Sequence, residues 1–300
     1  MHGFSDHINR YYELFPSLAA RGIVVYGFDQ RGWGRSVRGR ADWGVTGPTS
    51  LVMADLARFL EAKIAEEPVD APMFVMGHSM GGAEVLTLAS EGAEHDDSAT
   101  RIKHRELIGK VRGWLLESAF LDFYPGQGPH RLTVLAGRLA AKVLPRYKVL
   151  NVVPEELFSR DPDVVRSIRE DSLCHKTGTL EGVAGLLDRS AKLRDGRVRL
   201  VGTGTANGVR SMIMFHGTDD QTSSFAAAKH WWDTYAQDVP DGEFRAIEGA
   251  YHQLHAEFGR DEFYRTVGNW ILARAGTEET ATKADSPRDD IRPETVPPKL

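Results

Sequence analysis

Met73-Phe74-Val75-Met76-Gly77-His78-Ser79-Met80-Gly81-Gly82 decides the fold. Its first four residues form an apolar run that reads as a buried strand. The pattern G-x-S-x-G follows directly, and a helical pattern over 80–94 follows that. Between a strand and a helix, this pattern is a nucleophile elbow. The sharp turn forces the serine into a strained backbone conformation. Its neighbours must therefore be small, which accounts for Gly77 and Gly81. Ser79 then stands above the sheet, at the positive end of a helix dipole.

Similar apolar runs lie at 23–28, 111–116 and 212–215, with a weaker one at 244–247. Helical patterns fall at 9–21, 49–67, 224–237 and 254–274, and Thr49 and Ser50 are candidate caps for the second. Strands alternating with helices predict an α/β fold with a mostly parallel sheet covered on both faces. Residues 122–208 break the alternation and include a helical stretch at 131–144. So long an excursion predicts a cap over the strand ends. Residues 276–300 carry charge, Thr and Pro with almost no large apolar side chain, and read as a disordered tail. The expected organisation is a core in two parts, 1–121 and 209–275, a cap at 122–208 and a tail at 276–300.

Composition excludes several classes of function. The chain has 300 residues, 41% hydrophobic and 26% charged, as in ordinary globular proteins. Its 37 Lys and Arg against 42 Asp and Glu give a net charge of −5, with no basic excess for nucleic acid. A single cysteine, Cys174, excludes a disulfide framework and a cysteine-based metal site. No apolar run reaches the ~18 residues that span a bilayer. Met1 to His7 lack the basic and apolar regions of a signal peptide. His252 and His255 do not have the H-E-x-x-H zinc spacing, so neither metal nor cofactor is expected.

A serine hydroxyl is a weak nucleophile and needs a base and an orienting acid, here expected in the order acid, then histidine. The run at 212–215 leads into His216-Gly217-Thr218-Asp219-Asp220, which offers two aspartates that spacing cannot separate. Beyond the last run stands Glu248-Gly249-Ala250-Tyr251-His252-Gln253-Leu254-His255, where a loop histidine can reach Ser79. Oxyanion donors are expected from the N–H of Met80 and from a loop after an earlier strand. His2-Gly3-Phe4 fits that loop, with Phe4 N–H as donor.

With these pieces assembled, the chain resembles the monoacylglycerol lipase family of α/β-hydrolases, in a version similar to fungal members. The matching stretches are HGFSDHINRYY (2–12), FDQRGWGRS (28–36), GHSMGG (77–82), LFSRDP (157–162), HGTDD (216–220) and EGAYHQLH (248–255). The resemblance implies a catalytic triad of Ser79, Asp220 and His252. It also implies contacts from Asp6, Arg10 and His255 to a glycerol head group. The implied activity is cleavage of a monoacylglycerol to fatty acid and glycerol through an acyl-enzyme. A lysophospholipid or other carboxylic ester is the alternative substrate. The aspartate-dependent relatives, epoxide hydrolases and dehalogenases, are disfavoured by Ser79 at the elbow.

The family's cap is amphipathic. Leu132, Val134, Leu135, Leu139, Val143 and Leu144 fall at helical spacing. Such a stripe lines an acyl tunnel, touches a lipid surface, or packs on the core below. A cytoplasmic location with peripheral contact to membranes or lipid droplets is the matching expectation. The ending Pro298-Lys299-Leu300 is a poor match to a peroxisomal address, and the sequence gives no oligomeric state. In the family three strands precede His-Gly, and these need on the order of 30 residues. His2-Gly3 here lacks them. The expectation is a core without its N-terminal strands, the functional protein beginning upstream. The reading from a different class is a truncated, non-catalytic relative that binds lipid or protein.

Overall fold

The computed structural model describes residues 1–92, 98–203, 205 and 207–276; the predicted tail, apart from Gly276, lies outside the described residues. Four parallel strands form the central sheet in the spatial order Met73–His78, Val111–Glu117, Ser211–Gly217, Asp241–Ile247. The two inner strands are buried along nearly their whole length. Side chains alternate between faces of a strand. Trp114, Leu116, Met212 and Met214 therefore join one apolar cluster, with Val85, Leu86 and Trp231. Leu115, Ile213 and Phe215 join the other, with Leu14, Val267 and Trp270. The last strand carries Asp241, Glu243 and Arg245 at an edge of the sheet, where charge discourages pairing with other chains.

Several predicted elements differ. Residues 23–28 are not a strand. A strand needs a neighbouring backbone about 4.8 Å away. Here this segment and residues 73–76 both line an apolar cavity of about 560 Å³, and among the described residues no ladder joins them. That sheet edge is met instead by Met1, whose carbonyl accepts from His78 N–H at 3.0 Å. The helix expected over 9–21 is shorter, Leu14–Ala19, after a 3-10 turn at Ile8–Arg10. The elbow helix stops at Leu88, because Ser90–Gly92 pairs with Val198–Leu200. Thr49 is the first residue of the helix Thr49–Glu66 rather than its cap. Pro48 takes the cap position, and Thr49 Oγ1 accepts from Arg189 at 3.1 Å.

Within 122–208 lie the helices Arg131–Val143, Pro162–Glu170 and Leu180–Arg194, and a small antiparallel two-stranded sheet of Lys148–Leu150 with Thr177–Thr179. Leu180–Arg194 packs on the elbow helix Met80–Leu88. Arg131–Val143 contributes no buried residue, so its apolar stripe does not pack into the core. Leu132, Leu135, Leu139 and Val143 are between 54% and 79% exposed. Among the described residues no helix is long and apolar enough to cross a membrane.

A buried arginine–carboxyl contact sits beneath the elbow: Arg189 Nη2 donates to Glu84 Oε1 at 3.2 Å, and both residues are buried. Burial pushes the Glu84 carboxyl up to about 7, against the opposing pull of Arg189 and a hydrogen bond from the Gln30 side chain. The folded chain therefore holds a proton on Glu84 that the unfolded chain releases near the ordinary value of 4.5. This contribution to stability is complete below about 4.5 and is lost as pH rises through about 7. Glu84→Gln should remove that slope. Urea unfolding at pH 5 and pH 7.5 checks it, the wild type losing more stability than the variant between the two.

Candidate active site

Ser79 sits between strand and helix with φ 55° and ψ −119°, a strained conformation for a residue with a Cβ. The turn closes tightly around it. A Cβ on Gly77 would lie 2.4 Å from the Gly81 carbonyl oxygen, and one on Gly81 would lie 2.5 Å from the Met1 carbonyl oxygen. Both glycines are thus demanded by close backbone approach. Ser79 N–H donates to the Glu117 carbonyl at 2.9 Å, which ties the elbow to the neighbouring strand end.

The loop after Asp241–Ile247 carries His252 to Ser79, and the loop after Ser211–Gly217 carries Asp220 to His252. Ser79 Oγ–H donates to His252 Nε2 at 2.8 Å. His252 Nδ1–H donates to Asp220 Oδ2 at 2.7 Å. Asp220 Oδ1 accepts the backbone N–H groups of Thr222 at 2.8 Å and Ser223 at 2.9 Å. Burial alone would raise the Asp220 carboxyl. The His252 imidazole and hydrogen bonds from His216 and His252 outweigh it and hold the group well below the usual carboxylate range. Asp219, the other candidate, is not part of this line.

Met80 begins the elbow helix, so its N–H is one of the helix's unpaired terminal donors. Phe4 lines the cleft beside Gly3 and Ser79. Asp6 and Arg10 also line the cleft. Arg10 is heavily engaged: Nη2 donates to Tyr12 Oη at 2.7 Å, Nε lies 3.5 Å from Asp6 and Nη1 lies 3.6 Å from Asp171. Asp6 Oδ2 has no hydrogen-bond partner among the described residues, which leaves an acceptor beside the cleft.

His255 differs from the expectation. It is fully buried and is not among the residues that line the cleft. Its ring stacks on Tyr11 at 4.5 Å, and its Nδ1 and backbone N–H both reach Glu117 Oε1, at 2.7 and 3.0 Å. Burial would lift Glu117, but the imidazoles of His255 and His78 and the hydrogen bonds from His255 push it down to about 2. This pair pins the loop that carries His252, and sequence reasoning overlooked Glu117.

Among the described residues two clusters bring cation-binding atoms together: His78 with Glu117 and His255, and His7 with Asp171 and Cys174. In each the carboxylate already takes a hydrogen bond from an imidazole, and the second also faces the Arg10 guanidinium. Hydrogen bonding accounts for both. Cys174 lines the cleft, but burial pushes its thiol up to about 12, so it stays protonated.

The elbow on a parallel sheet, with acid and histidine delivered from later strand ends, defines an α/β-hydrolase with a serine at its centre. The chain belongs to the family described as Hydrolase_4, serine aminopeptidase S33, whose profile matches residues 1–258. It is 30% identical over 284 residues to a putative monoglyceride lipase of Schizosaccharomyces pombe, covering 93% of this chain and 68% of that one. It is 26% identical over 286 residues to the monoglyceride lipase of Saccharomyces cerevisiae, covering 93% and 85%. The crystal structure of a soluble variant of that yeast enzyme with a substrate analogue superposes with a TM-score of 0.76. It is 22% identical in sequence and covers 93% of this chain and 86% of the other. That of the Paleococcus ferrophilus monoacylglycerol lipase superposes with a TM-score of 0.70 at 22% identity, covering 91% and 93%.

Proposed function

We propose that the chain is a serine carboxylic-ester hydrolase whose substrates are monoacylglycerols. The observation that carries this reading is the line from Ser79 Oγ through His252 to Asp220, with hydrogen bonds of 2.8 and 2.7 Å. Monoglyceride lipases among its relatives supply the substrate class.

In this reading Ser79 Oγ attacks the ester carbonyl while His252 Nε2 takes its proton. The negative charge that develops on the carbonyl oxygen is met by the N–H groups of Phe4 and Met80. His252 then gives the proton to the departing glycerol oxygen, leaving the acyl group on Ser79. Water, activated by the same imidazole, releases the fatty acid and restores the hydroxyl. Asp220 stays ionised throughout and stabilises the imidazolium.

The head-group end of the cleft carries no excess of positive charge. Arg10 faces Asp6 and Asp171, and Lys176 is paired with Glu155. Such a site favours a neutral, hydroxyl-bearing head over a phosphate. The exposed stripe of Arg131–Val143 supports contact with the lipid surface where such esters reside. A substrate panel tests both points. Monoacylglycerols should be cleaved in preference to lysophosphatidylcholine of equal chain length. Leu135→Glu with Leu139→Glu should slow cleavage of substrate held in vesicles while sparing a soluble short-chain ester. Preference for the phospholipid would overturn the head-group assignment, and an unchanged vesicle rate would overturn the surface role.

A further inference from the structure

We propose that His216 and Ser223 are positioning residues for the acid of the triad, together holding Asp220 Oδ2 on His252. The inference rests on the role given to Asp220 above and adds two residues to it.

His216 is next to last in the strand Ser211–Gly217 and is fully buried. Its Nε2 lies 3.2 Å from Asp220 Oδ2. Ser223 Oγ lies 2.8 Å from the same oxygen, 3.3 Å from His216 Nε2 and 3.2 Å from the Ser118 carbonyl oxygen. Asp220 Oδ2 thus faces His252 Nδ1, Ser223 Oγ and His216 Nε2 at once, while Oδ1 faces two backbone amides.

The donor count fixes the roles. An ionised carboxylate only accepts hydrogen bonds. Ser223 Oγ–H and His216 Nε2–H must therefore both donate to it. A proton on Nε2 makes His216 Nδ1 the bare nitrogen of a neutral ring. That nitrogen is buried without a hydrogen-bond partner among the described residues, where an N–H would be left unsatisfied. His216 thus adds a donor to the acid without competing with His252 as a base. The Phe225 ring, edge-on at 5.8 Å, packs beside the imidazole.

Neither residue lines the cleft. Their removal should free the carboxylate to rotate, misaligning His252 without touching substrate. The effect belongs in kcat, whereas a loss of packing appears in thermal stability and is not restored by a hydrogen-bonding substitute.

The experiment measures kcat, KM and melting temperature on a soluble acyl ester. It also measures the rate at which a fluorophosphonate labels Ser79. Loss of one hydrogen bond to a charged group predicts about a tenfold fall in kcat for His216→Met and for Ser223→Ala, each with unchanged KM. His216→Gln and Ser223→Thr, which keep a donor, should recover most of the activity. The double variant should lose less than the product of the two single effects, because both donors serve one oxygen. Wild-type kcat in both single variants overturns the proposal. So does a loss carried by KM, or a loss matched by lower melting temperature that Gln and Thr do not restore. Ser223→Ala removes one oxygen only and keeps the test informative if His216→Met fails to fold. If the wild type itself neither hydrolyses the ester nor takes the label, the failure lies in the functional reading, and this inference falls with it.

Discussion

Replacing Ser79 by Ala should lower turnover of an acyl ester by about 10⁶-fold and leave the fold intact. The hydroxyl oxygen is the only atom lost. Alanine keeps the Cβ, so the strained turn at φ 55° is unchanged. The backbone bonds of residue 79, from its N–H to Glu117 and from Phe120 N–H to its carbonyl, do not involve the side chain. His252 would retain its bond to Asp220 but have no nucleophile to deprotonate. Groups that act as a unit do not lose activity additively, so His252→Ala should cost nearly as much, and the double variant little more. Steady-state hydrolysis of a soluble ester, with circular dichroism as a folding control, checks both. Residual activity within tenfold of wild type would remove Ser79 from the chemistry.

The second large effect is expected from Asp220→Asn, at about 10⁴-fold in kcat. Its cause lies in the two sides of the carboxylate. Oδ1 accepts two backbone amides, so the carbonyl oxygen of asparagine must take that side. The amide NH₂ then faces His252 Nδ1 and donates to it. That forces the His252 proton onto Nε2, the nitrogen that must accept from Ser79. The base is blocked by tautomer rather than by distance. Asp220→Ala removes the blocking donor along with the acid. If tautomer is the cause, the alanine variant should fall no further than the asparagine one. An asparagine variant close to wild type would show that Asp220 does not set the tautomer.

The elbow was legible because its constraints are local. Gly77 is required by a backbone contact within the turn, and such a requirement leaves a mark in the sequence, whereas Gly81 is pressed by the distant Met1 and His2 carbonyls. The buried runs at 111–116 and 212–215 were legible because helices cover both faces of their strands. Residues 23–28 carry the same apolar signature but do not join the sheet. A strand is a property of a pair, and composition cannot show whether the neighbour is within reach. The helix Ser98–Lys110 was missed because its sequence is largely polar, although Leu107 and Ile108 are buried. His255 was expected at the cleft by resemblance, and only the packing of Tyr11 and Glu117 around it turns its ring away. The contacts of His216 and Ser223 with Asp220 were equally hidden. His216 stood within a quoted motif, but its partner atom becomes visible only once the strand end and the following loop fold onto each other.

In the proposed reaction Ser79 is the acylated group, and His252 and Asp220 activate it. Tryptic mass spectrometry after brief treatment with a fluorophosphonate tests this most directly. One adduct is expected, on the peptide containing Ser79, formed rapidly in the wild type and far more slowly in His252→Ala and Asp220→Asn. An adduct on a different serine, or labelling of Ser79 at the same rate in all three proteins, would contradict it.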